Sequence, residues 1–164
     1  MTRHREVSVR VAADPGSVFA RLDDQTRLAE HMGKPSLMMG GGRMTYDFDA
    51  AKGQAVGSHI RMSGRAFGLT LELDEVVTER DPPHRKVWRT VGTPRLVVVA
   101  GYEMGFALRP VSGGSDLRVW IGYDLPPGGI GRALPFLGDT YAGWCVEQMA
   151  QDARKAFGPL SCQA

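Results

Sequence analysis

The sequence predicts a single α+β domain in which a curved, seven-stranded antiparallel sheet wraps one long C-terminal helix. Three observations carry this. Apolar and polar residues alternate almost without break from Met44 to Leu125, the period of half-buried strands. The turns between these runs are short, which makes sequential strands antiparallel neighbours. Beyond Leu137 the apolar residues recur at steps of three and four, the period of a helix. No repeat or linker interrupts the 164 residues, so residues 1–164 form one domain. At 43% hydrophobic and 23% charged residues, the chain can bury a core without metal or disulfide staples.

Val7, Val9 and Val11 alternate with Ser8 and Arg10 in the first strand. Asp14-Pro15 supplies a helix cap followed by proline at the first helical position, and Val18, Phe19 and Leu22 give a short helix its apolar face up to Asp23. A second short helix is expected from Gln25 to Met32. The next strands carry Met44, Tyr46 and Phe48, then Ile60 and Met62, then Leu69, Leu71 and Leu73 running on through Val76-Val77. Asp81-Pro82-Pro83 turns the chain, since paired prolines cannot continue a ladder. A strand from Val87 to Val91 follows, and then one long strand with Leu96, Val98, Tyr102, Met104, Phe106 and Leu108 in a single register. Ser112-Gly113-Gly114-Ser115 turns into the last strand, with Leu117, Val119, Ile121, Tyr123 and Leu125. The closing helix presents Leu137, Tyr141, Trp144, Cys145, Met149, Ala153 and Ala156, and Gly158-Pro159 ends it.

Several function classes are disfavoured at once. The net charge of +2 gives no electrostatic argument for nucleic acid or an anionic membrane. No apolar run reaches the ~18–20 residues that span a bilayer, and no apolar signal core follows the charged N-terminus, so a cytoplasmic protein without stable membrane insertion is expected. Cys145 and Cys162 do not read as a disulfide framework. His4, His31, His59 and His84 lack paired ligand spacing, so neither a metal nor another cofactor is expected. Gly129-Ile130-Gly131 has Leu134 where a dinucleotide loop needs its third glycine, and Gly40-Gly41-Gly42 lacks the Lys-Ser or Lys-Thr of a phosphate loop.

With this element order, the chain resembles the START-like, or SRPBCC, superfamily of helix-grip proteins, which includes plant pollen allergens, lipid-transfer domains and polyketide cyclases. The residues that carry the resemblance are the opening strand with Asp14-Pro15 and Val18-Phe19, Val56-Gly57-Ser58 leading into Glu75-Val76-Val77, and Tyr141-Ala142-Gly143-Trp144. The resemblance spans about residues 5–158 and implies a ligand cavity between the sheet and the closing helix.

Geometry favours the same hollow. Seven strands at ~4.8 Å spacing make a sheet roughly 34 Å wide, against about 10–12 Å for a helix with its side chains. The sheet must therefore bend, with Gly57, Gly64, Gly68, Gly101 and Gly105 as candidate sites of bulges or close approach. Tyr46, Tyr102, Tyr123 and Tyr141 all fall on the inward register, where buried hydroxyls need partners and the sequence offers few. Methionines Met44, Met62, Met104 and Met149 share that face, and thioethers adapt to varied guests.

The expected lining is Tyr46, Phe48, Met62, Leu71, Trp88, Tyr102, Met104, Tyr123, Tyr141 and Met149, with Trp88 inward in competition with Val87 and Val91. The first expectation for function is binding or carrying a hydrophobic small molecule, lipid- or polyketide-like. The alternative is a cyclase or dehydratase in which Tyr46, Tyr102 or Tyr123 polarises a carbonyl and Glu75 acts as base. Glu75 continues the inward register of Leu71 and Leu73, unless a bulge before Val76 turns it out. A third reading is an accessory subunit with a filled cavity, contacting a homo-oligomer or protein partner through the apolar residues of Pro126 to Leu137.

Overall fold

The computed structural model describes residues 3–27, 41–66 and 68–159. Strand β1 (Arg3–Val11) leads through the Asp14 cap into helix α1 (Pro15–Asp23). Asp14 accepts from the Ser17 backbone N–H at 3.0 Å and from its hydroxyl at 2.6 Å, and Pro15 needs no donor partner at the helix start. Phe19 of α1 rests on Phe106, with ring centroids 5.4 Å apart. Of the second short helix expected after Asp23, residues 25–27 are helical and the remainder lies outside the described residues.

Strands β2 (Arg43–Phe48), β3 (His59–Ala66), β4 (Leu69–Asp81), β5 (Arg85–Arg95), β6 (Gly101–Val111) and β7 (Gly114–Asp124) complete one antiparallel sheet in the order β1-β7-β6-β5-β4-β3-β2. Short helix α2 (Gly129–Ala133) and long helix α3 (Pro135–Phe157) follow. The α+β class, the seven antiparallel strands and the long closing helix are as the sequence predicts, whereas α2 is not foreseen. In that stretch Pro126 is buried, while Leu134 and Phe136 are exposed apolar side chains.

Three local expectations are corrected. Leu96 to Leu108 do not form one long strand. Gly92 takes φ +69° and Pro94 lacks an N–H, so β5 leaves β6 after the Arg89–Glu103 pair, and residues 96–100 pass outside the sheet before Ala100 N–H rejoins Asp124 O at 2.8 Å. The irregularities of β4 fall between Glu72 and Asp74 and between Val77 and Glu79, not at the candidate glycines. Gly64 and Gly105 are nonetheless close approaches: a Cβ would stand 2.3 Å from Arg43 O at the first and 2.6 Å from Trp120 Cζ2 at the second.

The third correction concerns α3. Its buried line is Gly138, Ala142, Val146, Met149, Ala150 and Ala153, mostly small residues that let the helix lie close on β1 and β7. A Cβ on Gly138 would stand 2.9 Å from Val98 O, so glycine is what the approach requires. Tyr141, Trp144 and Cys145 sit beside that line, half-buried, facing the rest of the sheet. The helix therefore grips one side of the sheet, and the inner face of β2 to β6 is left to enclose a space.

Candidate functional site: an apolar cavity around a buried carboxyl

That space is a cavity of ≈ 90 Å³ between α3, β2–β6 and the segment after β5. It is small beside the ~150 Å³ apolar cavity that holds benzene in an engineered protein. Met44, Met62, Met104 and Met149 line it, so its width is set largely by unbranched, adaptable side chains.

Of the residues expected to line the site, Tyr46, Met62, Leu71, Trp88, Tyr102, Met104, Tyr141 and Met149 do so, and Glu75 joins them. Phe48 and Tyr123 do not. Phe48 stacks on the outer side of the Tyr46 ring at 6.0 Å and 19°. The Tyr123 ring is fully buried, but its hydroxyl donates to Asp139, which also takes Arg3 Nη1 at 2.7 Å, so its polar end belongs to the β1–α3 junction. Gln25, Leu73, Leu96, Trp144, Cys145 and the exposed Gln148 also line the cavity. Sequence reasoning placed Gln148 off the apolar stripe and read Cys145 as core. The signal that could have found them is the run of small residues one position away, which marks the true contact line of α3.

Glu75 is inward because β4 alternates strictly from Leu71 to Val77, and both pairing shifts fall outside Asp74–Val77. It lies in a continuous inward row across the sheet: Phe48 opposite Ile60, Ile60 opposite Glu75, Glu75 opposite Thr90, and Tyr102 opposite Tyr123. Thr90 closes the row, accepting the Tyr102 backbone N–H on its Oγ1 at 3.1 Å.

The Glu75 side chain is 3% exposed, and the Tyr102 hydroxyl donates to its Oε1. Burial pushes its pKa up to about 7, while the Tyr102 hydrogen bond, the Lys86 charge and the Trp88 indole N–H act in the opposite direction. A carboxyl at that value exchanges a proton near neutrality, the property required of a general acid or base.

The other polar groups are held more firmly. Burial raises the Cys145 thiol to about 12 even though Tyr141 hydrogen-bonds it one turn away, so this thiol is no nucleophile. Below the cavity, Asp23 at the end of α1 receives Lys86 Nζ at 2.8 Å and Arg80 Nη2 at 2.8 Å. Burial would raise the Asp23 carboxyl, but these two cations outweigh it and hold the group below its ordinary range. Lys86 is fully buried and also lies 5.9 Å from the Trp88 ring centroid. Among the described residues no three His, Cys, Asp or Glu side chains gather to hold a metal, and no helix is long and apolar enough to cross a membrane.

An antiparallel sheet gripping a C-terminal helix over an apolar cavity defines the helix-grip class, and solved structures agree. A Chromobacterium violaceum protein, CV1439, superposes with a TM-score of 0.64 at 20% identity, covering 98% of this chain and 100% of its own. Ara h 8.0201 matches with a TM-score of 0.59 at 14% identity over 94% of this chain and 93% of its own. The di-domain ARO/CYC StfQ of the steffimycin biosynthetic pathway matches with a TM-score of 0.62 at 15% identity over 94% of this chain, which spans 50% of StfQ. No curated protein sequence matches at a significant level. The family model described as polyketide cyclase / dehydrase and lipid transport matches residues 2–155, and the chain belongs to that family, within the SRPBCC superfamily.

Proposed function

We propose that this protein binds a hydrophobic small molecule in the cavity between β2–β6 and α3. The observation that carries the reading is the methionine-rich, largely apolar lining left open on one side of α3. A molecule larger than the space enters by rotation of those methionines, which have several low-energy rotamers and no branched carbon to lock them. Enclosure then contributes roughly 25 cal/mol per Å² of apolar surface, offset by the entropy of association. Titration with 1-aminoanthracene tests it, with a single saturable site expected. No saturable signal across chemically diverse apolar probes would contradict it.

A second reading, proton transfer on the bound molecule, is favoured by Glu75. As a carboxylate it takes a proton from the carbon next to a carbonyl. The electron pair of that C–H bond forms a C=C bond as the carbonyl π pair moves onto oxygen, giving an enolate, and the resulting carboxylic acid later returns the proton to it. Of the tyrosines expected to polarise the carbonyl, Tyr123 is committed to Asp139 and Tyr102 to Glu75 itself, which leaves Tyr46 in the lining for that role. Glu75→Gln tests this reading once a substrate is found, with turnover expected to fall ~10²-fold or more and binding to persist.

A further inference from the structure

Gln25 follows α1 by two residues and lines the cavity. It is 2% exposed, yet its Nε2 has no hydrogen-bond partner among the described residues. A buried amide N–H left unpaired costs free energy, and such groups are rare unless something else satisfies them. Its position relative to Glu75 follows from neighbours. The Gln25 amide carbon lies 3.6 Å from where a Gly53 Cβ would stand, the tip of Ile60 lies 3.0 Å from the same point, and Ile60 is the cross-strand partner of Glu75. Gln25 and Glu75 thus both neighbour Ile60, and both line the cavity.

The groups around them restrict what the cavity accepts. Tyr102 has given its hydrogen to Glu75, and Lys86, the nearest buried cation, is held by Asp23. No unengaged buried cation faces the cavity among the described residues, so an anionic head would meet Glu75 without a counter-charge.

We infer that Gln25 is a ligand-binding residue whose amide donates to the carbonyl oxygen of an uncharged, apolar ligand, and that the cavity selects neutral ketone-like molecules over carboxylates such as fatty acids. This rests on the binding reading above and adds the chemical class of the ligand. In the proton-transfer reading it also supplies a donor that Tyr102 and Tyr123 do not, placing a hydrogen bond on the oxygen where charge develops.

The experiment compares acetophenone, α-methylstyrene (the same shape with CH2 in place of oxygen) and benzoate by NMR shift titration of the wild-type chain and Gln25→Leu. The wild type is expected to bind acetophenone about tenfold more tightly than α-methylstyrene, the scale of one buried hydrogen bond, and benzoate more weakly than acetophenone. Gln25→Leu is expected to bring the ketone and hydrocarbon within about twofold by removing that bond. In the wild type the Gln25 side-chain NH2 resonances are expected to move with acetophenone and stay with α-methylstyrene, a readout that holds even if the variant does not fold. An unchanged ratio in Gln25→Leu, unmoved NH2 resonances or a preference for benzoate overturns the assignment while leaving the cavity reading intact. If none of the three compounds binds, this assignment fails, and the titration with diverse apolar probes decides the cavity reading separately.

Discussion

Tyr102 on β6 donates its hydroxyl hydrogen to Glu75 on β4, reaching across Thr90 of the intervening β5. The bond ties three strands together on the inner face and gives the cavity one polar end. Tyr102 thereby orients the carboxyl, and the carboxyl faces the cavity.

Glu75 makes stability depend on pH in a definite direction. Its folded-state pKa, about 7, lies above the ordinary 4.5, so between these values the folded chain holds more protons than the unfolded one. Stability attributable to this group is therefore full below about pH 4.5 and falls as pH rises through about 7, by about 3 kcal/mol in all. Glu75→Gln removes the titration. Urea denaturation at pH 5 and pH 8 is expected to show the variant gaining stability relative to wild type by that order. An equal difference at both pH values would contradict the burial argument.

Tyr102→Phe removes the hydrogen bond that lowers the Glu75 pKa, so the carboxyl is expected to titrate above its wild-type value. The same variant separates the two functional readings. Affinity for an apolar guest is expected to change by less than about threefold, since tyrosine's ring remains, whereas turnover of a confirmed substrate is expected to fall at least about tenfold.

Asp23→Asn leaves Lys86 buried with its counter-charge gone. Breaking one partner of a buried ion pair typically costs about 3–5 kcal/mol, and a loss of that size is expected in chemical denaturation. Asp23→Asn combined with Lys86→Met is expected to recover a large part of it, because the fully buried charge is gone and Arg80, the other partner of Asp23, is partly open to water.

The sheet and its registers were legible because strand period and short turns are local. Leu71, Leu73, Glu75 and Val77 alternate as the sequence predicts, and Trp88 faces inward because Val87 packs on the opposite face beside Gly105 and Trp120. What was not legible depends on partners distant in the chain. The α3 stripe was read through its large residues, Tyr141, Trp144 and Cys145, whereas small residues made the contact with β1 and β7. Gln148 and Gln25 were missed for the same reason: a polar side chain enters a cavity only where the helix has moved aside. Tyr123 shared the inward register, but Asp139, supplied by a helix 16 residues away, drew its hydroxyl elsewhere.

Gly138→Val checks how closely α3 must approach. With Val98 O 2.9 Å and Leu125 Cδ2 3.0 Å from a Cβ, the variant is expected to lose at least about 1–3 kcal/mol, the usual cost of overpacking. Thermal unfolding reads this directly, and a neutral result would place the helix farther from Val98 and Leu125.

A pH titration of the Glu75 side-chain carboxyl by carbon-13 NMR, in the otherwise unmodified protein, measures the property on which both functional readings draw. A midpoint near 7 is the expected result for a carboxyl enclosed by Trp88, Tyr102 and the methionine lining. A midpoint near the ordinary 4.5 would mean that water reaches the group freely, and that the apolar cavity described for this chain does not surround it.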